Sequence, residues 1–229
     1  MEQGQDAGTE MAPSERARIR QHADRARYGM DEVFAVLDEG VVAHVALVRD
    51  GTPVVVPMAF GRVEDRLYLH GGVASRLLQA LGQGAEASVA VTILDGLVLG
   101  RSAIKHSMNY RSVVVHGRGR EVTDPDEIVA GLRAVTSHNL PGRWDALRPA
   151  TRRELSATRV VALQLAESAV KVRSGGPLDY PEDLDEPTWA GVIPLRLTAG
   201  EPVPASPAAA VAVAEPILQP GLTAPERFS

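Results

Sequence analysis

Apolar runs and two-residue alternation, rather than a helical repeat, dominate residues 41–122. Val41 to Arg49 is apolar at almost every position, Asp50-Gly51 reads as a tight turn, and Thr52 to Val63 resumes the apolar run. A Glu64-Asp65 turn leads to Arg66 to Gly71, so the three segments predict a meander of strands. Ala87 to Leu99 and Tyr110 to Val122 continue the pattern, with Gly117 and Gly119 removing side chains from one face as at a barrel corner. Arg159 to Val172 supplies a sixth strand.

Helical spacing is confined to the gaps. Asp31 is expected to cap a short helix carrying Val33, Phe34, Val36 and Leu37, stopped by a left-handed Gly40. Ser75 to Leu81 puts Leu77, Leu78 and Leu81 on one side. Asp124-Pro125 opens a helix with Ile128, Leu132 and Val135 that should cover one end of a barrel. The charged stretch Ser14 to Tyr28 reads as an exposed helix or an ordered arm, and Ser174 to Pro187 is turn-rich and acidic. Residues 1–13 and the Ala/Pro-rich residues 199–229 are expected to be disordered, leaving one domain at 14–198. Strands and helices that do not alternate argue for a mainly β, mostly antiparallel barrel with peripheral helices. The Val41 to Val48 strand is apolar on both faces, and a second subunit is the simplest cover for its outer one.

Composition removes several functions. The net charge of -5 comes with no basic block, which argues against a nucleic-acid partner. With 0 cysteines, disulfides, thiolate catalysis and thiolate metal sites are excluded. No apolar run approaches the ~20 residues that span a bilayer, so a soluble, cytoplasmic protein without a membrane partner is expected. Histidines 44, 70, 106 and 116 have no close-spaced partners resembling a metal set. Nothing resembles a Ser/His/Asp set, a Walker loop or a GxGxxG turn.

Two segments carry candidate chemistry. His70-Gly71-Gly72 runs into Ser75-Arg76-Leu77 at a helix start, and Ser107 to Val113 opens a strand with Tyr110, Arg111 and Ser112. Hydroxyls, guanidinium groups and amide donors beside an apolar strand can hold a phosphate and a flat ring, which suggests a mononucleotide such as FMN. The plainer alternatives are a helix cap with a solvated arginine and a surface ion pair. Pro57 within Val54 to Phe60 should interrupt the ladder, freeing backbone groups for a flavin edge while Val56 and Met58 touch the ring. An edge-strand proline without ligand is the other reading. His70, at a strand end, suits cofactor contact better than His44, which reads as a core or interface histidine. Lys171 and Arg173 share a strand face and either border an anionic molecule or form a solvated basic edge.

Taken in order, Leu37-Asp38-Glu39, His44-Val45, Val54 to Pro57, Leu67 to Gly71, Ser75-Arg76, Leu94 to Val98, Ser107 to Val113, Lys171 to Arg173 and Trp189 to Pro194 carry a resemblance. The chain resembles the pyridoxamine 5'-phosphate oxidase-like flavoproteins, closest to the branch with nitroimidazole-resistance-type proteins, from Arg25 to Leu197. That resemblance implies a six-stranded antiparallel split β-barrel of Greek-key type, forming a homodimer with FMN in clefts between subunits. By position, Val56, Pro57 and Met58 would line the isoalloxazine, and His70, Ser75 and Arg76 would approach the ribityl phosphate, with Leu77 also counted among the cofactor-binding residues. Tyr110, Arg111 and Ser112 would complete the cleft, with Trp189 as its cover. The paired Arg and Lys pattern and the C-terminal substrate stretch of authentic pyridoxamine phosphate oxidases are missing, so vitamin B6 oxidation is not expected. The implied function is an FMN-dependent oxidoreductase of a small molecule. Alternatives are a flavin-binding module without turnover, a nitroaromatic reductase, or a deazaflavin- or haem-binding relative. The lack of Cys and of an evident axial-ligand setting weighs against haem.

Overall fold

The computed structural model describes residues 14–203 and Ala205, so the expectations for residues 1–13 and for 206–229 lie outside them. Among the described residues, eleven strands form two antiparallel sheets around a shared core. The first sheet has the order β1-β10-β7-β6-β2-β3, with β11 added to β6; the second is β4-β5-β9-β8. The strands are β1 (Ala26–Arg27), β2 (Ala43–Arg49), β3 (Thr52–Met58), β4 (Phe60–Val63), β5 (Arg66–Gly72) and β6 (Glu86–Leu99). They continue as β7 (Ser107–Arg118), β8 (Arg120–Glu121), β9 (Thr158–Gln164), β10 (Glu167–Arg173) and β11 (Gly191–Pro194).

Three of the expected strands are each two, because the chain crosses from one sheet to the other within a single strand-like run. Thr52 to Val63 turns at Ala59 into β4, Tyr110 to Val122 turns at Gly119 into β8, and Arg159 to Val172 turns at Leu165 from β9 into β10. These corners split the barrel. At Gly119 a Cβ would lie 2.5 Å from Leu81 Cγ, so only glycine permits the corner to press on the helix beneath it. Pro57 is not an interruption: it pairs in register opposite His44. As β3 is the edge of its sheet, a missing N–H can face outward there without costing a ladder bond.

The Asp50-Gly51 turn forms as expected, with φ of 52° and 75°, the backbone a two-residue hairpin loop requires. Helix α1 (Met30–Glu39) starts one residue before Asp31, with Gly29 as N-cap. Gly40 ends it in extended conformation at φ -71°, not left-handed. A glycine is needed there for packing, since a Cβ would meet Val91 Cγ1 at 2.1 Å. Helix α2 (Arg76–Gly82) is capped by Ser75, whose hydroxyl accepts from Leu78 N–H at 3.3 Å.

Helix α3 (Pro125–His138), capped by Asp124, lies across the second sheet rather than over a barrel end. Gly61 and Gly131 permit that approach: a Cβ would fall 2.3 Å from the Ala134 carbonyl carbon or 2.8 Å from Tyr68 Cδ1. A short α4 (Arg152–Ser156), started by a Thr151/Glu154 capping box, was not foreseen. Residues 14–28 form an ordered arm rather than a helix, tied to the sheet through β1 and through Ile19 N–H donating to the Tyr28 hydroxyl at 2.9 Å.

The main core joins Val33 and Leu37 of α1 and Leu77, Leu78 and Leu81 of α2 to Val45, Leu69, Val89, Val113 and Val161. Each such fully buried side chain contributes about 1.5–3 kcal/mol. Along β2, Ala43, Val45 and Leu47 face this core while His44 and Val48 face out. Among the described residues no helix is long and apolar enough to cross a membrane.

Candidate functional site

The first group of candidate residues lies in two places, on edge strand β3 and at the β5-to-α2 turn. Val56 and Met58 are half-buried and pack on the core, while Pro57 is exposed on the opposite face. His70 stands opposite Val160, half-buried, and its imidazole has no hydrogen-bond partner among the described residues. Burial holds its pKa below the ordinary value, favouring the neutral ring. Ser75 N–H donates to Gly72 O at 2.9 Å, closing the turn. The Ser75 hydroxyl accepts from Leu78 and keeps its own O–H to give. Arg76 is exposed and in no ion pair among the described residues. Leu77 belongs to the core, so only its backbone can meet a ligand.

The second group opens β7, and here alternation decides which side chains are free. Val113 and Val115 face the core, so Arg111 does too. Its guanidinium is held by two carboxylates: Glu39 of α1, through Nη1 and through Nη2 at 2.7 Å, and Asp95 of β6, through Nε at 3.0 Å and Nη2 at 2.7 Å. Burial opposes the charge, but these bonds prevail and raise the pKa above the ordinary arginine value. Four of its five N–H donors are therefore used inside the protein, and Arg111 does not present a fork to a phosphate.

Tyr110 and Ser112 lie on the other face of β7. Ser112 Oγ donates to Lys171 O at 3.4 Å, and Tyr110 pairs across the sheet with Leu94 and Arg173. Asn109 Nδ2 donates to Gly175 O at 3.1 Å and its Oδ1 accepts from Arg173. Trp189 is 62% exposed, with its ring against Gly191, where a Cβ would come within 2.9 Å. No hydrogen bond or ion pair among the described residues links this group to Ser75 or Arg76, which lie at the end of the second sheet's β5.

Sequence reasoning missed Glu39 and Asp95 as the partners of Arg111. The parity of Arg111 with Val113 and Val115 was the available signal, since an inward arginine needs buried counter-charges.

Comparison with known proteins gives the lineage. The family described as Pyridoxamine 5'-phosphate oxidase matches residues 30–172. The flavocytochrome Anf3 from Azotobacter vinelandii is 41% identical, over 90% of this chain and 97% of that one, with a TM-score of 0.82. The FAD and heme binding protein from Mycobacterium smegmatis is 39% identical, over 85% of this chain and 95% of that one, with a TM-score of 0.78. A Bacteroides thetaiotaomicron protein named for 5-nitroimidazole antibiotic resistance, 21% identical over 64% of this chain and 86% of that one, shares the fold at a TM-score of 0.51. No curated protein matches the chain. With the matched region running from α1 through β10, and with two antiparallel sheets parted at three corners, the chain belongs to the pyridoxamine 5'-phosphate oxidase family.

Proposed function

We propose that this protein is a flavin-binding oxidoreductase of a small molecule that also carries haem. The observation that supports the reading is its 41% and 39% identity, over 90% and 85% of the chain, to a flavocytochrome and to an FAD and heme binding protein. A flavin and a haem together supply conversion between two-electron and one-electron transfer.

The residues present fit a flavin. Ser75 has a hydroxyl proton to give and Arg76 a guanidinium in no ion pair among the described residues, so both can hold a phosphate, while half-buried Val56 and Met58 offer apolar contact to a ring. FMN and FAD share the ring and the first phosphate, so the same residues serve either. FAD is proposed ahead of FMN because the Mycobacterium smegmatis relative is named for it. Arg111 is assigned to structure instead.

A haem also has a fitting ligand. His70 is half-buried, held toward the neutral form that binds iron, and without a hydrogen-bond partner among the described residues. This assignment reverses the weight against haem that the missing cysteines suggested.

The proposed assembly is a homodimer joined through the outer face of β2 and β3, where Val48 is 65% and Val55 60% exposed. The test of the cofactor reading is the absorption spectrum after adding FAD, FMN or hemin to the purified protein. Stoichiometric flavin bands with FAD and a Soret band with hemin are expected. No uptake of either flavin at about millimolar concentration, a weakness unlike a resident cofactor, would refute the flavin reading. A flavin-loaded protein that forms no Soret band would refute the haem half alone.

A further inference from the structure

Arg173 is 8% exposed, yet no carboxylate meets it among the described residues. The contrast with Arg111, the other buried arginine, is direct, because Arg111 has two. Burying a guanidinium without a counter-ion is costly, so the missing negative charge calls for an explanation.

The acceptors around Arg173 are all neutral. Nη1 donates to Asn109 Oδ1 and to Gly175 O at 3.3 Å, and Nη2 donates to Gly176 O at 3.1 Å. Gly175 sits at φ +93°, a conformation that suits glycine and lets the 174–176 turn fold back on the guanidinium. Three of five N–H donors are thereby used. The two left, Nε–H and one on Nη2, form the side-on fork with which Arg111 grips Asp95. Neither of these two donors meets an acceptor among the described residues.

Other donors stand close by. The pKa of Arg173 is lowered by burial and then by the positive charge of Arg25, and Tyr110 acts in the opposite direction. Tyr110 is its cross-strand neighbour, and Lys171 lies two residues back on the same face. Neither Arg25 nor Lys171 is in an ion pair among the described residues; Lys171 Nζ donates to Gln21 O at 3.0 Å.

We propose that Arg173, with Arg25 and Tyr110, forms a binding point for the phosphoryl group of a small molecule. A carboxylate would be used up by the fork alone. A phosphoryl group has further oxygens for Arg25 and the Tyr110 hydroxyl, and its second negative charge offsets the second guanidinium. Arg173 and Arg25 take no part in the flavin assignment above, so the two readings stand or fall separately.

The test is calorimetric titration of the full-length protein with inorganic pyrophosphate, with succinate as the carboxylate probe and flavin content read separately by absorbance. Pyrophosphate is expected to bind, and Arg173→Gln and Arg25→Gln each to weaken it by about tenfold or more. Tyr110→Phe, which removes one hydroxyl and leaves the ring, keeps the test valid if Arg173→Gln fails to fold; it should weaken binding several-fold. Arg76→Ala should leave pyrophosphate binding in place. Succinate binding in preference to pyrophosphate would overturn the proposal. So would pyrophosphate binding that Arg76→Ala abolishes and the Arg173, Arg25 and Tyr110 variants leave unchanged.

Discussion

Asp95 reaches Arg111 because the strand that carries it is bulged: the β6 and β7 register shifts between Leu94 and Gly96, and the extra residue turns its carboxylate onto the guanidinium side-on at 2.7 and 3.0 Å. Glu39 closes the other end, so one arginine ties helix α1 to two neighbouring strands. Removing one partner of a buried pair leaves an uncompensated charge and costs about 3–5 kcal/mol. Arg111→Met is therefore expected to lower stability on that scale in urea denaturation, with the folded fraction still taking up flavin. A variant as stable as the parent would refute the structural role, and a stable variant with lost flavin affinity would return Arg111 to the cofactor site.

Arg76 is the opposite case, an exposed guanidinium with no ion pair among the described residues. Little stability depends on it, and its charge remains available for a phosphate. Arg76→Ala should weaken flavin binding more than tenfold, since each decade is about 1.4 kcal/mol and a charge-assisted bond contributes about that much or more. Fluorescence titration measures it, and unchanged affinity would remove Arg76 from the site.

On the outer sheet face, Ala46 pairs with Val55 and Val48 with Pro53, an apolar row bordered by His44 and Pro57. A lysine in the middle of such a row can reach water in a monomer but is desolvated between two copies. Val55→Lys is expected to shift light-scattering mass from dimer to monomer with little change in the thermal melt of the chain. A parent protein that already runs as a monomer would refute the homodimer.

Much of this fold was legible from alternation, and its corners were the part that was not. At Ala59 the core-facing positions keep their parity from Val56 and Met58 into Phe60, so one run of residues reads as one strand although it serves two sheets. At Leu165 the parity switches from Val161 and Leu163 to Val170 and Val172, and the switch is hidden because β9 is buried on both faces. Pro57 drew attention as a break because proline lacks a donor, but only the strand order shows that β3 is an edge where the lack is harmless. In the site, Arg111 looked like a phosphate ligand because its counter-charges are remote in sequence, at Glu39 and Asp95. Leu77 could have been assigned to the core from its spacing with Leu78 and Leu81. A lone histidine on a strand gives no spacing signal for iron, which is why the sequence supports haem only as an alternative that the family resemblance implies, and weighs against it.

Three histidines make the fold sensitive to acid. Burial lowers the pKa of His70, His116 and His138 beneath the ordinary 6.5, and His138 donates through Nε2 to Gly40 O at 2.6 Å. For a group whose folded pKa is depressed, the unfolded chain takes up protons first, so stability is complete above about 6.5 and is lost as pH falls through the folded value. Lowered carboxylates such as Glu127 start from 4.5 and do not contribute in that window. The melting temperature of the cofactor-free protein should drop between about pH 7 and 5.5, less steeply in His138→Gln. A melting temperature constant across that range would contradict the assignment.

His70 offers the sharpest discrimination between flavin and haem. Its ring is half-buried, held toward the neutral form by burial and without a hydrogen-bond partner among the described residues, so no described residue competes with a metal for its nitrogen lone pair. It is also not a core anchor: its strand neighbours Leu69 and Tyr68 bury their side chains while His70 remains partly accessible. His70→Ala should therefore leave the melt of the cofactor-free protein nearly unchanged. Flavin uptake should persist, while the Soret band after hemin addition should be lost or shifted, and added imidazole should restore it by filling the vacated position. An unaltered haem spectrum in His70→Ala would remove this residue as ligand and direct the search to the exposed His44 or His22.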